Sequence, residues 1–158
     1  MFSLPNGRRA GLAAVLLATA LQGCGPDSRD DGLSATEYRE RGNRLCREAT
    51  ELGKGLPQPK TERDLTRLLE RTVKESNRFQ ARFERLEPPD ELRADHQRSQ
   101  REGREAIEVF EDAVKRIHAG EGPQRTVAKL ASRLNELVER GNATARRLGL
   151  NDCVSARL

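Results

Sequence analysis

Two histidines, three cysteines and an even scatter of carboxylates are what this chain offers for chemistry. His96 and His118 stand 22 residues apart (118 − 96). On one helix, at about 1.5 Å per residue, that separation is about 33 Å, too far to share a metal ion. Asp95-His96 has the residue types of an acid–base pair, but adjacent positions on a helix point apart. His96 is therefore read as a polar residue on a helical stripe. Cys46 and Cys153 lack CxxC spacing and no pair of histidines converges with them, so no zinc set is expected. HExxH, GxSxG, Walker and GxGxxG patterns are absent. The carboxylates match the arginines in number and spread, and none is singled out as a general acid or base. The expectation is a non-enzymatic protein without metal or cofactor.

The third cysteine belongs to a different chemistry. Residues Met1 to Gly23 carry Arg8 and Arg9 and no acid, and Ala10 to Leu21 is an uncharged run of 12 residues. A membrane-spanning helix needs about 20. A basic start followed by a short apolar run reads as a secretory signal peptide, residues 1–23. The run ends in Leu21-Gln22-Gly23-Cys24, which resembles the bacterial lipobox, with Gln22 where a small or apolar residue is usual. The resemblance implies cleavage before Cys24 and fatty acylation (diacylglyceryl, with palmitate-type chains) of its sulfur. One acyl chain anchors marginally and two or more anchor stably. The expected location is the extracytoplasmic face of a bacterial cell membrane, reached through the lipid anchor.

With Cys24 lipidated, Cys46 and Cys153 remain. Export would place them where disulfides persist, and they are then the only intramolecular pair available. Two buried free thiols are the alternative.

These residues need elements to position them. Residues 24–33 are polar, with Gly, Pro and Asp, and read as a flexible linker. Residues 34–158 form the expected domain. The composition, 34% charged and 3% aromatic with no Trp, excludes a core of aromatic anchors. It suits amphipathic helices, which need about three apolar positions per two turns. Ser34 and Glu37 have capping-box spacing, as do Thr61 and Asp64. Pro57 and Pro59 end the first helix, Pro88-Pro89 the second and Ala119-Gly120 the third. Pro123 opens the fourth helix, and Gly149 closes it. Tyr38, Leu45, Ala49 and Leu52 mark the inner stripe of the first. Short connections favour antiparallel neighbours. The predicted fold is all-α, an antiparallel up-down-up-down four-helix bundle. In that arrangement the first and fourth helices adjoin, and for Cys153 to meet Cys46 either the tail folds back along the first helix or the fourth helix is staggered toward its middle.

Arg98/Glu102, Arg101/Glu105, Glu111/Lys115 and Asp112/Arg116 are spaced i,i+4 and read as pairs on a solvated face. The stripe of the third helix is polar in its first half. His96, Ser99 and Gly103 would face Thr72, Ser76 or Asn77 across a helical hairpin. Either this is a thin bundle end with close helix approach at Gly103, or Thr72, Ser76, His96 and Ser99 line a small polar groove. Nucleic acid is not an expected partner. Without Arg8 and Arg9, 27 basic residues face 25 acidic ones (29 − 2 = 27), and few aromatics are available for stacking. Asn142-Ala143-Thr144 matches a glycosylation sequon inside a predicted helix and is read as chance.

Tyr38-x4-Asn43-x2-Cys46 in the first helix and Leu148-Gly149-Leu150-Asn151-Asp152-Cys153 at the end give the chain a resemblance to small actinobacterial lipoproteins and secreted helical proteins of unknown function. That resemblance implies a disulfide and an envelope location, and it carries no catalytic residues. Two functional expectations follow. The first is a membrane-tethered module acting through an unidentified envelope protein partner. The second is a carrier or sensor that binds a small envelope molecule between helices.

Overall fold

The computed structural model describes residues 32–155. The leader, Cys24 and most of the linker lie outside them. The described residues are all-helical, with four long helices and one short 3-10 turn: α1 (Ala35–Lys54), α2 (Glu62–Phe83), α3 (Asp90–His118), α4 (Pro123–Leu148) and η1 (Asn151–Cys153).

The helix starts follow local chemistry. The Ser34 hydroxyl accepts from the Glu37 amide, and the Ser34 amide donates to the Glu37 carboxylate. Thr61 and Asp64 repeat the reciprocal arrangement at the head of α2. Each box satisfies backbone donors that a helix terminus leaves without partners. Pro123 is the first residue of α4, where its missing N–H costs nothing.

At the other end of α4, Gly149 takes the left-handed conformation at φ 74°. The amide of Leu150 then donates back to the Ala145 carbonyl at 2.8 Å, and that of Gly149 to Arg146 at 3.1 Å. This is a Schellman closure. It turns Leu150 into the interior, where it is 1% exposed.

One correction concerns α2. It ends at Phe83, not at the Pro88-Pro89 pair. The chain turns through Glu84 and Arg85, and this turn brings Leu86 against the core. It also frees the Glu87 carbonyl to accept from the Leu33 amide at 3.0 Å, so the entering chain is tied to the α2–α3 connection.

Two apolar clusters hold the bundle. The larger joins Tyr38 and Leu45 of α1, Phe83 of α2, Leu92 of α3, Ala145 and Leu148 of α4, and Leu150. The smaller joins Ala113 of α3 to Leu130 and Leu134 of α4. α3 lies along both α2 and α4. α1 is different: it is buried at Tyr38, Gly42, Leu45 and Cys46, and exposed from Arg47 to its end. Leu52, expected on the inner stripe, is 43% exposed.

Cys46 and Cys153 stand at disulfide distance, with Cα atoms 5.0 Å apart. The tail does fold back along α1, and polar side chains at helical spacing hold it there. Asn43 Nδ2 donates to the Gly149 carbonyl at 3.1 Å, and Asn43 Oδ1 accepts from the Asp152 amide at 2.9 Å. Arg39 Nε donates to the Leu148 carbonyl at 3.2 Å. Arg47 pairs with Asp152. On the α4 side, Asn142 clamps Ser155 through the same two-sided pattern, at 2.8 and 2.9 Å. That side chain is therefore engaged within the chain.

Candidate functional site: a cleft between the helices

A cleft of about 710 Å³ opens between the helices. That volume falls within the range of about 300–1,000 Å³ usual for small-molecule sites. Every long helix and the tail contribute to it. Its apolar walls include Ala49 of α1, Phe79 and Phe83 of α2, Phe110 of α3, Leu137 and Val138 of α4, and Val154 of the tail. Cys46 and Cys153 form part of its rim.

The cleft has two local causes. Past Cys46, α1 is no longer buried and leaves its neighbours uncovered. The facing stretches of α3 and α4 carry Ala106 and Gly141 on the cleft wall, and a Cβ at Gly141 would meet nothing within 4 Å. Close packing in a bundle needs larger residues at such positions.

Charge in the cleft is one-sided. Among the described residues no Lys, Arg or His lines it. Two acids do, Asp152 and Glu102. Asp152 is paired with Arg47. Glu102 Oε2 is buried and has no hydrogen-bond partner among the described residues. The expected Arg98/Glu102 pair therefore does not form. Arg101/Glu105 does not form either, because Glu105 is held by Arg133 and Arg140 of α4, each at 2.6 Å. Glu111 accepts from Asn77 in place of Lys115. Of the four expected pairs, Asp112/Arg116 is made, at 2.9 Å.

Thr72, Ser76, His96 and Ser99, read from sequence as one polar groove, are placed apart. Ser99 lines the cleft, and Thr72 and Ser76 do not. The Thr72 hydroxyl donates to the Leu68 carbonyl of its own helix. The hairpin register is the reason. His96 lies against Phe83, with ring centroids 4.9 Å apart. Gln80 Nε2 reaches the Gln100 carbonyl at 3.2 Å. Thr72 and Ser76 thus lie one to three turns further along α2 than a pairing with His96 and Ser99 requires.

His96 is instead a buried bridge, 3% exposed. Its Nδ1 shares a 2.8 Å hydrogen bond with the hydroxyl of fully buried Tyr38, and its Nε2 one of 2.8 Å with the Gln100 amide. Burial pushes its pKa below the ordinary histidine value and pushes that of Tyr38 above the ordinary tyrosine value. Glu84 is held below the usual carboxylate range first by the hydrogen bond from Gln80, then by Arg104. His118 lies at the far end of α3, exposed and 2.9 Å from Glu70.

Gly103 has a specific task. A Cβ there would meet Gln80 Oε1 at 2.4 Å, so the glycine admits the Gln80 side chain against α3. Sequence reasoning missed Gln80 and Glu102 as site residues. Glu102 did leave a signal: it sits three residues after Ser99 and four before Ala106, which is stripe spacing.

Among the described residues no group of His, Cys, Asp or Glu could hold a metal ion, and no helix is long and apolar enough to cross a membrane. No family model, curated protein or solved structure matches the chain.

Proposed function

We propose that the protein is a lipid-anchored extracytoplasmic carrier or sensor, holding a small envelope molecule between its helices. Cys24 carries the anchor, residues 24–33 are the spacer, and the domain is an antiparallel up-down-up-down four-helix bundle. The observation that carries the binding reading is the cleft, with apolar walls on four helices and a volume of about 710 Å³. A bundle closed along its whole length would have opposed it.

Action through a protein partner, the first expectation from sequence, has less support. Leu52 is the exposed large hydrophobic among the described residues, and one such residue makes no docking patch.

Mass spectrometry of organic extracts from protein purified out of its own membrane tests the reading. A co-purifying molecule is expected with the wild-type chain and not with Leu137→Arg, which fills the cleft with a charge. Equal extracts from both would reject it. Loss of membrane attachment in Cys24→Ser is expected in the same preparations, and retained attachment would reject the anchor.

A further inference from the structure

We propose that the molecule held in the cleft is an amphipathic amine, its aliphatic body against the apolar walls and its ammonium group on Glu102. The proposal deepens the carrier reading and rests on it. Glu102 Oε2 is out of contact with solvent and receives no hydrogen bond among the described residues. Folding normally pairs such an atom, because leaving it bare forfeits its hydration without return. Glu102 had a potential partner four residues away in Arg98, which stays exposed and unpaired with it. Glu102 is instead one of the residues that line the cleft.

The surroundings select the partner's charge. Among the described residues, no Lys, Arg or His stands on the cleft wall. An anionic head group, such as a fatty acid carboxylate or a phosphate, would meet no cation there and would meet Glu102. The second acid of the lining, Asp152, is already taken by Arg47, so one unpaired charge remains. The other polar side chains near Glu102 do not substitute for a ligand. Gln80 directs its amide nitrogen to Glu84 and to the Gln100 carbonyl. An ammonium group donates to a carboxylate through charge-assisted hydrogen bonds, which are stronger than those of neutral donors. The apolar walls, Phe79, Phe110 and Leu137 among them, suit an unbranched or alicyclic hydrocarbon body.

Three probes with one body and different heads test this: octylamine, octanol and octanoate. They are titrated calorimetrically into the wild-type chain in phosphatidylcholine nanodiscs, with empty nanodiscs subtracted. Octylamine is expected to bind at least tenfold more tightly than octanoate, with octanol between them. Glu102→Gln, nearly isosteric, is expected to erase the advantage of octylamine over octanol and leave octanol affinity within twofold. Glu102→Arg is expected to shift the preference to octanoate. Octanoate binding as tightly as octylamine, or an amine preference surviving in Glu102→Gln, overturns the assignment while leaving the cleft a binding site. If none of the three binds, the carrier reading falls with it. Ala106→Trp, which fills the cleft, is expected to abolish binding of all three; binding that persists would place the probes elsewhere and overturn the proposal.

Discussion

At the scale of single residues, the Tyr38–His96–Gln100 chain is a buried polar bridge whose hydrogen bonds are all made within the protein. Tyr38 is fully buried and His96 nearly so, and a neutral imidazole has one donor and one acceptor to give. Both are used, one toward α1 and one within α3. Tyr38→Phe removes one partner and leaves a ring nitrogen bare, so a loss of about 1–3 kcal/mol is expected in urea unfolding. The same burial sets a pH dependence. Burial holds the folded pKa of His96 below its ordinary value of 6.5. The unfolded chain therefore takes up this proton first as pH falls. Stability is full above about pH 6.5 and declines as pH drops through the folded value. A second decline, from Glu37 and Glu84, begins below their ordinary value of 4.5. Urea midpoints across pH 7 to 4 are expected to show both limbs in the wild type. His96→Gln is expected to lack the upper one; an unchanged upper limb would assign it to another group. Sequence placed both His96 and Tyr38 on inner stripes, yet it gave no sign that the two pair. Their pairing crosses 58 residues and depends on how α1 is seated.

At the scale of elements, starts were easier to read than stops. Ser34 with Glu37, Thr61 with Asp64 and Pro123 at the starts, and Gly149 among the stops, act through neighbours within a few residues, so their chemistry is visible in one dimension. The end of α2 is different. Nothing local forces it to stop at Phe83; what fixes it is the gain from burying Leu86 and from the Leu33–Glu87 hydrogen bond. The course of the tail was likewise open, because Asn43 reaches 106 and 109 residues along the chain to hold it. Gly42 makes that seat possible. A Cβ at Gly42 would lie 2.6 Å from Leu150 Cδ2, and Leu150 is buried on all sides. Gly42→Ala is expected to cost about 1–3 kcal/mol through overpacking. Gly53→Ala, where a Cβ meets nothing within 4 Å, is expected to be neutral or mildly stabilising. Thermal melts of the two side by side check the contrast.

At the scale of the whole molecule, the pattern of apolar residues predicted faces but not axial offsets. A helical stripe records which side of α2 meets α3, and it is silent on how far one has slid along the other. Hence the four residues of the expected groove were individually sensible and collectively misplaced. The cleft arises where α1 leaves the bundle and small residues face each other, a coincidence of three helices that no single stripe displays. The sulfur bridge closes one side of it. Removing the bridge by Cys153→Ser is expected to cost up to about 4.7 kcal/mol by the loop-entropy account for a loop of this order, with 107 residues separating the two cysteines. Because Cys46 and Cys153 also line the cleft, the same variant is expected to weaken probe binding in proportion. Melting curves with and without reductant, read beside octanol titrations, measure both effects.

That bridge also makes most of the folded domain a covalent ring. A protease that nicks the chain once at Gly55, between α1 and α2, would open the ring without dividing the molecule. Such a nicked sample would run as one band on a non-reducing gel and as two after thiol treatment.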